Sequence, residues 1–135
     1  MYISYIFSYI SSGSSSEPEV DIVGGSNVNE GRVEVNYNGT RGSICDESWT
    51  NEDAQVICRQ LERPHEGAVA VNEAFYGQGS GDILLDEVHC VGNEDNIGDC
   101  PHQDWGVHDC GHSEDAGVIC TDDGKTCLEY FFIFF

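Results

Sequence analysis

Cationic side chains are scarce in this chain: 5 Lys and Arg stand against 25 Asp and Glu, a formal charge of −20. A surface of that sign repels phosphate backbones, and no basic stripe offsets it, so nucleic acid is excluded as a partner. The same charge makes divalent cations natural companions. Closely spaced cysteine pairs are missing too. Zinc ribbons and fingers set ligand pairs two to four residues apart, and the seven cysteines contain neither such a pair nor a C-x-x-C redox motif. His102, His108 and His112 lie near Cys100 and Cys110, but without those spacings we expect no zinc. No apolar run reaches the roughly 20 residues of a membrane-spanning helix, the C-terminal LEYFFIFF included, so no membrane span is expected in this chain.

Catalytic signatures are equally thin. Ile22-Val23-Gly24-Gly25 reads like the start of an activated trypsin-type protease, yet no Ser in a G-D-S-G setting follows and the chain is far too short. Ser113 is not a nucleophile elbow, because Asp115 stands where that motif needs Gly. The expectation is a protein that is not an enzyme.

What is present is cysteine, glycine and short alternating runs. With 135 residues there is room for one domain. A domain of about 100 residues is thinly cored, and seven widely spread cysteines point to disulfides formed in an oxidising compartment. The stretch CGHSEDAGVIC, from Cys110 to Cys120, therefore reads as a disulfide seam. The N-terminal MYISYIFSYISSGSSSEPE is a signal-like apolar segment followed by a Ser-rich linker, although no Lys or Arg precedes its apolar run. The expected organisation is that segment over 1–19, one domain over 20–121 and a tail over 122–135.

Within the domain, RVEVNY (Arg32 to Tyr37) alternates apolar and polar residues with the period of a half-buried strand. Asn38-Gly39 is a preferred hairpin dipeptide, with Gly42 to Cys45 as the returning strand. Thr50 and Asp53 form a capping box that opens a helix, in which Ala54, Ile57, Cys58 and Leu61 share one face. Pro64 ends it. FYGQGSG is a loop, DILLDEVHC a strand running into Cys90, and AGVIC a closing buried strand. Trp49 and Trp105 are expected in the core or at its rim, given the area an aromatic buries. Asn38-Gly39-Thr40 is also a glycosylation sequon in an exposed turn.

Five strings set these elements in a familiar order: VGG…EGRVEV, CDESW, DAQVICRQL, FYGQGSGDILLDEVHCVGNE and DCPHQDWGVHDCGHSEDAGVIC. Together they cover about residues 21–121, and the chain resembles the scavenger receptor cysteine-rich (SRCR) domain. That resemblance implies an α+β fold: a small disulfide-rich domain in which a curved antiparallel sheet cradles one main helix. It implies the six-cysteine, group A pairing Cys45–Cys110, Cys58–Cys120 and Cys90–Cys100. The extra group B pair would fall on Asn29 and Arg63, and both lack cysteine together. Cys127 lies outside the pattern, as a free thiol, an intermolecular bridge or a partner for a cysteine in a neighbouring module.

The resemblance also implies a weakly held calcium or magnesium ion, bound by Asp46, Glu47 and Glu94, with Asp86 as a candidate for a second site nearby. The physical reason is that grouped carboxylates repel one another and a hard cation relieves the repulsion. Arg32 lies in a stretch that resembles a bacteria-binding peptide of the family and is the candidate ligand-binding residue. Arg41 stands where an aromatic is expected, so a cation bridging to an anionic ligand is the better mechanism than a basic patch. The implied function is a secreted or extracellular recognition module of scavenger or innate-immune type. Its partners would be anionic polymers, microbial surfaces or extracellular proteins. The alternative is a non-catalytic interaction or spacer module of a larger secreted or membrane mosaic protein.

Overall fold

A computed structural model describes residues 17–123; the signal-like segment up to residue 16 and Cys127 lie outside the described residues. Strand β1 (Glu19–Gly24) is followed by β2 (Glu30–Tyr37) and β3 (Thr40–Ile44), then helix α1 (Asn51–Gln60). Strands β4 (Val69–Val71), β5 (Asp82–Leu85) and β6 (Gly117–Ile119) complete the set, with 3-10 turns at Ile97–Asp99 and His112–Glu114.

The long, cleanly alternating β2 is the hub. It pairs antiparallel with β1 over Glu19↔Asn36 to Gly24↔Gly31, with β3 through the hairpin, and with β6 over Glu30↔Ile119 to Arg32↔Gly117. Strand β4 extends the sheet beyond β6, and β5 extends it beyond β3. The hairpin turn forms where Asn-Gly places it, with Asn38 and Gly39 both at positive φ (52° and 83°), as a two-residue primed turn requires.

Among the described residues every strand pair is antiparallel except one: β3 and β5 run parallel. The intervening chain carries α1 and β4, which is long enough for the crossover a parallel pair needs. Strand β5 also stops at Leu85 instead of running to Cys90. Asp86 turns the chain by accepting the Glu87 N–H on its own Oδ1 (2.8 Å), and Glu87 takes a left-handed φ of 54°. Strands β1 and β4 were not read as strands from the sequence. Only Ile22 of β1 is buried, and β4 is three residues long.

Helix α1 opens on the expected box. Asp53 Oδ2 accepts from Thr50 N (2.8 Å) and Thr50 Oγ1 (3.1 Å), while its Oδ1 takes the Cys90 N–H (2.7 Å). One buried carboxylate thus fixes the helix start and the Cys90 loop together, and burial pushes its pKa up. Ala54, Ile57 and Cys58 face inward as expected, joined by Val56, against Val33, Val35, Ile44, Leu85 and Val118. Trp49 is buried and donates from Nε1 to the Gly117 carbonyl (2.9 Å), whereas Trp105 stacks on Tyr37 at the rim, 3.9 Å between centroids.

The disulfides are Cys45–Cys110, Cys58–Cys120 and Cys90–Cys100, the three pairs the resemblance implies. Cys58–Cys120 ties α1 to the end of β6. The first two close loops of 65 and 62 residues. In the chain-entropy account such loops stabilise a thin core by about 4 kcal/mol each. In place of a fourth bridge, the Arg63 guanidinium donates to the carbonyl of Val28, the residue before Asn29.

Candidate functional site

Three segments converge at the Cys45–Cys110 bridge: the turn after β3 carrying Asp46 and Glu47, the turn after β5 carrying Asp86, and the segment ending at Cys110. Glu47, Asp86 and Asp109 each bring a carboxylate oxygen within 4.8 Å of the others and of Cys110 Sγ. Glu114 reaches Glu47 from the other side, beside the same disulfide. Interaction with the Asp109 carboxylate, followed by desolvation and the charges of Asp109, Asp86 and Glu114, pushes the Glu47 carboxyl up to about 7. Asp86 is 1 % exposed, and burial is the main cause that raises its pKa. No Lys or Arg is among the causes acting on either group.

Both sulfurs here are spent in a disulfide, so neither is a thiolate that could hold a soft metal. The donor set is oxygen alone, the preference of calcium and magnesium. Residues and chemistry therefore fit a hard divalent cation, and the side chains able to hold it are Glu47 with Asp86 and Asp109, or Glu47 with Glu114.

The other expected ligands sit elsewhere. Asp46 Oδ2 accepts the Glu73 N–H (2.7 Å) and pins the loop that carries the consecutive left-handed residues Glu73 and Ala74. Glu94 folds back on its own loop, accepting from Val91 N and Gly92 N at 2.9 Å each. Its carboxylate groups with the Cys90–Cys100 bridge, and no grouping among the described residues joins it to Asp46 or Glu47. Asp109 and Glu114 were missed in the sequence. The signal that could have found them is Cys110: once it is bridged to Cys45, the acids beside it meet those beside Cys45.

Arg32 is not free for a ligand in this structure. It donates to Glu34 Oε2 from Nε (3.0 Å) and Nη2 (2.7 Å), and from Nη1 to the carbonyls of Tyr76 and Gly77. Arg41 grips the other Glu34 oxygen (2.6 Å) and Asp21 (3.3 Å). Burial would raise the Glu34 pKa, but the two guanidiniums outweigh it and hold the carboxyl low. Asn38 is exposed at its turn.

A second polar group lies one turn from the acids. Buried Asp115 accepts the Ser43 hydroxyl (2.7 Å), the Gly79 N–H (2.7 Å) and His112 Nδ1 (2.9 Å). His112 Nε2 faces the Gly81 carbonyl at 2.7 Å. Two acceptors require two N–H donors, so the ring is an imidazolium, and its pKa is raised, chiefly by Asp115. Ser43 donates to the carboxylate and His112 has both nitrogens occupied. This wiring fastens the 77–81 loop to the sheet and leaves no free base to activate the serine.

Comparison with known proteins agrees with this architecture. The family model for the scavenger receptor cysteine-rich domain matches residues 23–121. A scavenger receptor cysteine-rich domain superfamily protein of Patiria pectinifera is 48% identical over 117 residues, which is 84% of this chain and 10% of that protein. The chain thus spans about a tenth of that curated relative. Among solved structures, the third SRCR domain of murine neurotrypsin is 51% identical with a TM-score of 0.71, covering 78% of this chain and 96% of that one. The SRCR domain of mouse MARCO, in its dimeric form, is 48% identical with a TM-score of 0.64, covering 76% and 94%.

Proposed function

The chain belongs to the scavenger receptor cysteine-rich family, and from that premise we propose that it is a non-catalytic extracellular recognition module of the six-cysteine group, one that captures anionic ligands through a bound calcium or magnesium ion. The observation that carries this reading is geometric: carboxylate oxygens of Glu47, Asp86 and Asp109 lie within 4.8 Å of one another beside the Cys45–Cys110 bridge, which fits the raised Glu47 carboxyl. Among the described residues no Lys or Arg pairs with these acids. A divalent ion relieves the repulsion among these carboxylates and keeps coordination positions for a ligand's oxygens. Engagement of Arg32 and Arg41 by Glu34 and Asp21 leaves a direct basic-patch mechanism without its two sheet arginines. Asp46 and Glu94 lie outside the grouping of carboxylate oxygens around Glu47.

Scavenging or innate recognition of anionic polymers and microbial surfaces is the role this site fits, on the secreted or extracellular face where disulfides persist. Affinities near 10⁻⁴–10⁻³ M, roughly those of extracellular calcium modules, are expected. A second reading, an interaction or spacer module of a mosaic protein, is favoured by the 10% share of the Patiria relative that the chain spans.

Thermal unfolding with and without calcium tests the site. At about ten times the dissociation constant, linkage supplies roughly 1.4 kcal/mol, a rise of a few degrees. The double variant Asp86→Asn, Asp109→Asn should lose that rise and Glu94→Ala should keep it. Retention of the full rise in the double variant would reduce the cluster to a solvated acidic face.

A further inference from the structure

The hairpin between β2 and β3 turns on Asn38 and Gly39, both at positive φ (52° and 83°) and both exposed. Strand pairing closes at Tyr37↔Thr40, so the two turn residues lie outside the ladder. A Cβ built on Gly39 would meet nothing within 4 Å, and the space around the turn is open to solvent. A carboxamide followed by glycine is the pairing in which a backbone nitrogen reaches a side-chain carbonyl carbon with least obstruction, because the attacking residue carries no Cβ. The seven other asparagines are followed by Val, Glu, Tyr or Ile, each of which sets a side chain beside that path.

We propose that Asn38 is a site of spontaneous covalent modification, converted through a cyclic imide with Gly39 to aspartate and isoaspartate, and that the isoaspartate form loosens the β2–β3 turn. In the ring-closing step the Gly39 amide gives its proton to a solvent hydroxide, and its nitrogen bonds to Asn38 Cγ. The Cγ–Nδ2 bond breaks, and Nδ2 takes a proton from water and leaves as ammonia. Water then opens the imide at either carbonyl. Opening at Cγ leaves an aspartate in the ordinary chain. Opening at the backbone carbonyl carbon leaves the chain running through Cγ, as an isoaspartate. One water is consumed, one ammonia is released, and nothing is oxidised or reduced.

The two products act differently on the fold. Aspartate, like asparagine, tolerates the left-handed φ of this position and keeps the two-residue turn. Isoaspartate adds one atom to the main chain, and a primed two-residue turn has no place for it without shifting the Tyr37↔Thr40 pair. Tyr37 stacks face to face on Trp105, 3.9 Å between centroids, so the disturbance reaches the aromatic rim. The reaction requires water alone and stands apart from the cation reading.

The test is incubation of the whole chain at mildly alkaline pH, followed over time by peptide mapping. The protein is made in a bacterial periplasm, so that no glycan occupies the nitrogen to be expelled. The Asn38 peptide should exchange –NH2 for –OH at least about tenfold faster than any of the other seven asparagine sites, and should yield aspartate and isoaspartate together. Gly39→Ala, whose Cβ has open space in the fold, should slow the conversion at least about tenfold. Site ranking and product mixture are read on the unmodified sequence, so they decide the matter even if Gly39→Ala misfolds. The isoaspartate form, separated chromatographically, should show a moved Trp105 indole N–H resonance and a lower denaturant midpoint, while Asn38→Asp stays close to the starting protein in both. A rate at Asn38 no higher than elsewhere, aspartate as the sole product, or an indifferent, folded Gly39→Ala would overturn the imide route. An isoaspartate form with an unmoved Trp105 resonance and midpoint would refute the loosening of the turn.

Discussion

Asp115 and Glu47 both lie beside the Cys45–Cys110 seam, and the fold treats them in opposite ways. Asp115 is 1 % exposed and fully provided for by a serine hydroxyl, a backbone N–H and an imidazolium. Glu47 is half-buried, and it faces Asp109, Asp86 and Glu114 with no cationic partner among the causes that set its pKa. A carboxylate whose partners come from the chain is structural. One whose neighbours are further carboxylates needs its counter-charge from outside. Proximity in sequence hides this difference, because the run Asp109, His112, Glu114, Asp115 contributes to both groups.

The sharpest break of that comparison is substitution on each side. Asp115→Ala leaves a half-buried imidazolium, a buried serine hydroxyl and an amide without their acceptor. It should cost about 3 kcal/mol in urea unfolding, on the order of buried donors left without a partner. Glu47→Gln, which removes repulsion, should leave calcium-free stability equal or higher. A similar loss in both variants would erase the distinction.

Titration should separate the two regions next. His112 has a folded pKa above its ordinary 6.5, so the folded state holds its proton more tightly than the unfolded chain. The stability it contributes is complete below about pH 6.5 and is lost as pH rises through the raised folded value. Denaturant midpoints should therefore fall from neutral to alkaline pH, and His112→Gln should flatten that limb. Glu47 acts in the same sense at lower pH. Raised from 4.5 to about 7, it is a site where the folded state holds a proton that the unfolded chain releases near the ordinary carboxylate value, so its contribution is complete below about pH 4.5 and is lost as pH rises through about 7, unless calcium is present. Calorimetry in buffers of different ionisation enthalpy should detect up to about one proton released per calcium bound near pH 7, and little above pH 8. Absence of that release would mean the ion sits away from Glu47.

The smallest effect lies outside both regions and calibrates them. Glu62 takes a left-handed φ of 58° just after α1, where glycine is the usual residue. Glu62→Gly should raise the thermal midpoint slightly, by up to about 1 kcal/mol in stability, and change neither the pH limb nor the calcium response. Expression in a secretory eukaryotic host should also add a glycan at the exposed Asn38 turn. Mass before and after deglycosylation, compared with Asn38→Gln, checks it.

The alternation of RVEVNY, the Asn-Gly turn, the Thr50–Asp53 box and the inward Cys58 were legible because each is written in local spacing, and local spacing fixes which face of a strand or helix is buried. β1 and β4 escaped because strands this short and this exposed carry almost no periodic signal. The parallel β3–β5 pair escaped for another reason: strand direction depends on how the connection crosses, and residue pattern does not record it.

The acids show the same division. The sequence by itself determined that the surface is anionic, that cations are its natural partners, and that six cysteines follow the order of a known disulfide scaffold. Which acids face one another was decided only in three dimensions. Asp46 and Glu94 look equivalent to Glu47 and Asp86 along the chain, but Asp46 reaches across to the Glu73 N–H and Glu94 folds back on Val91 and Gly92 of its own loop, and neither joins the grouping around Glu47. Asp109 and Glu114, distant in sequence, are carried to Glu47 by a disulfide that closes 65 residues. Charge repulsion falls off with distance, and distance between carboxylates is a property of loop closure that no local pattern encodes.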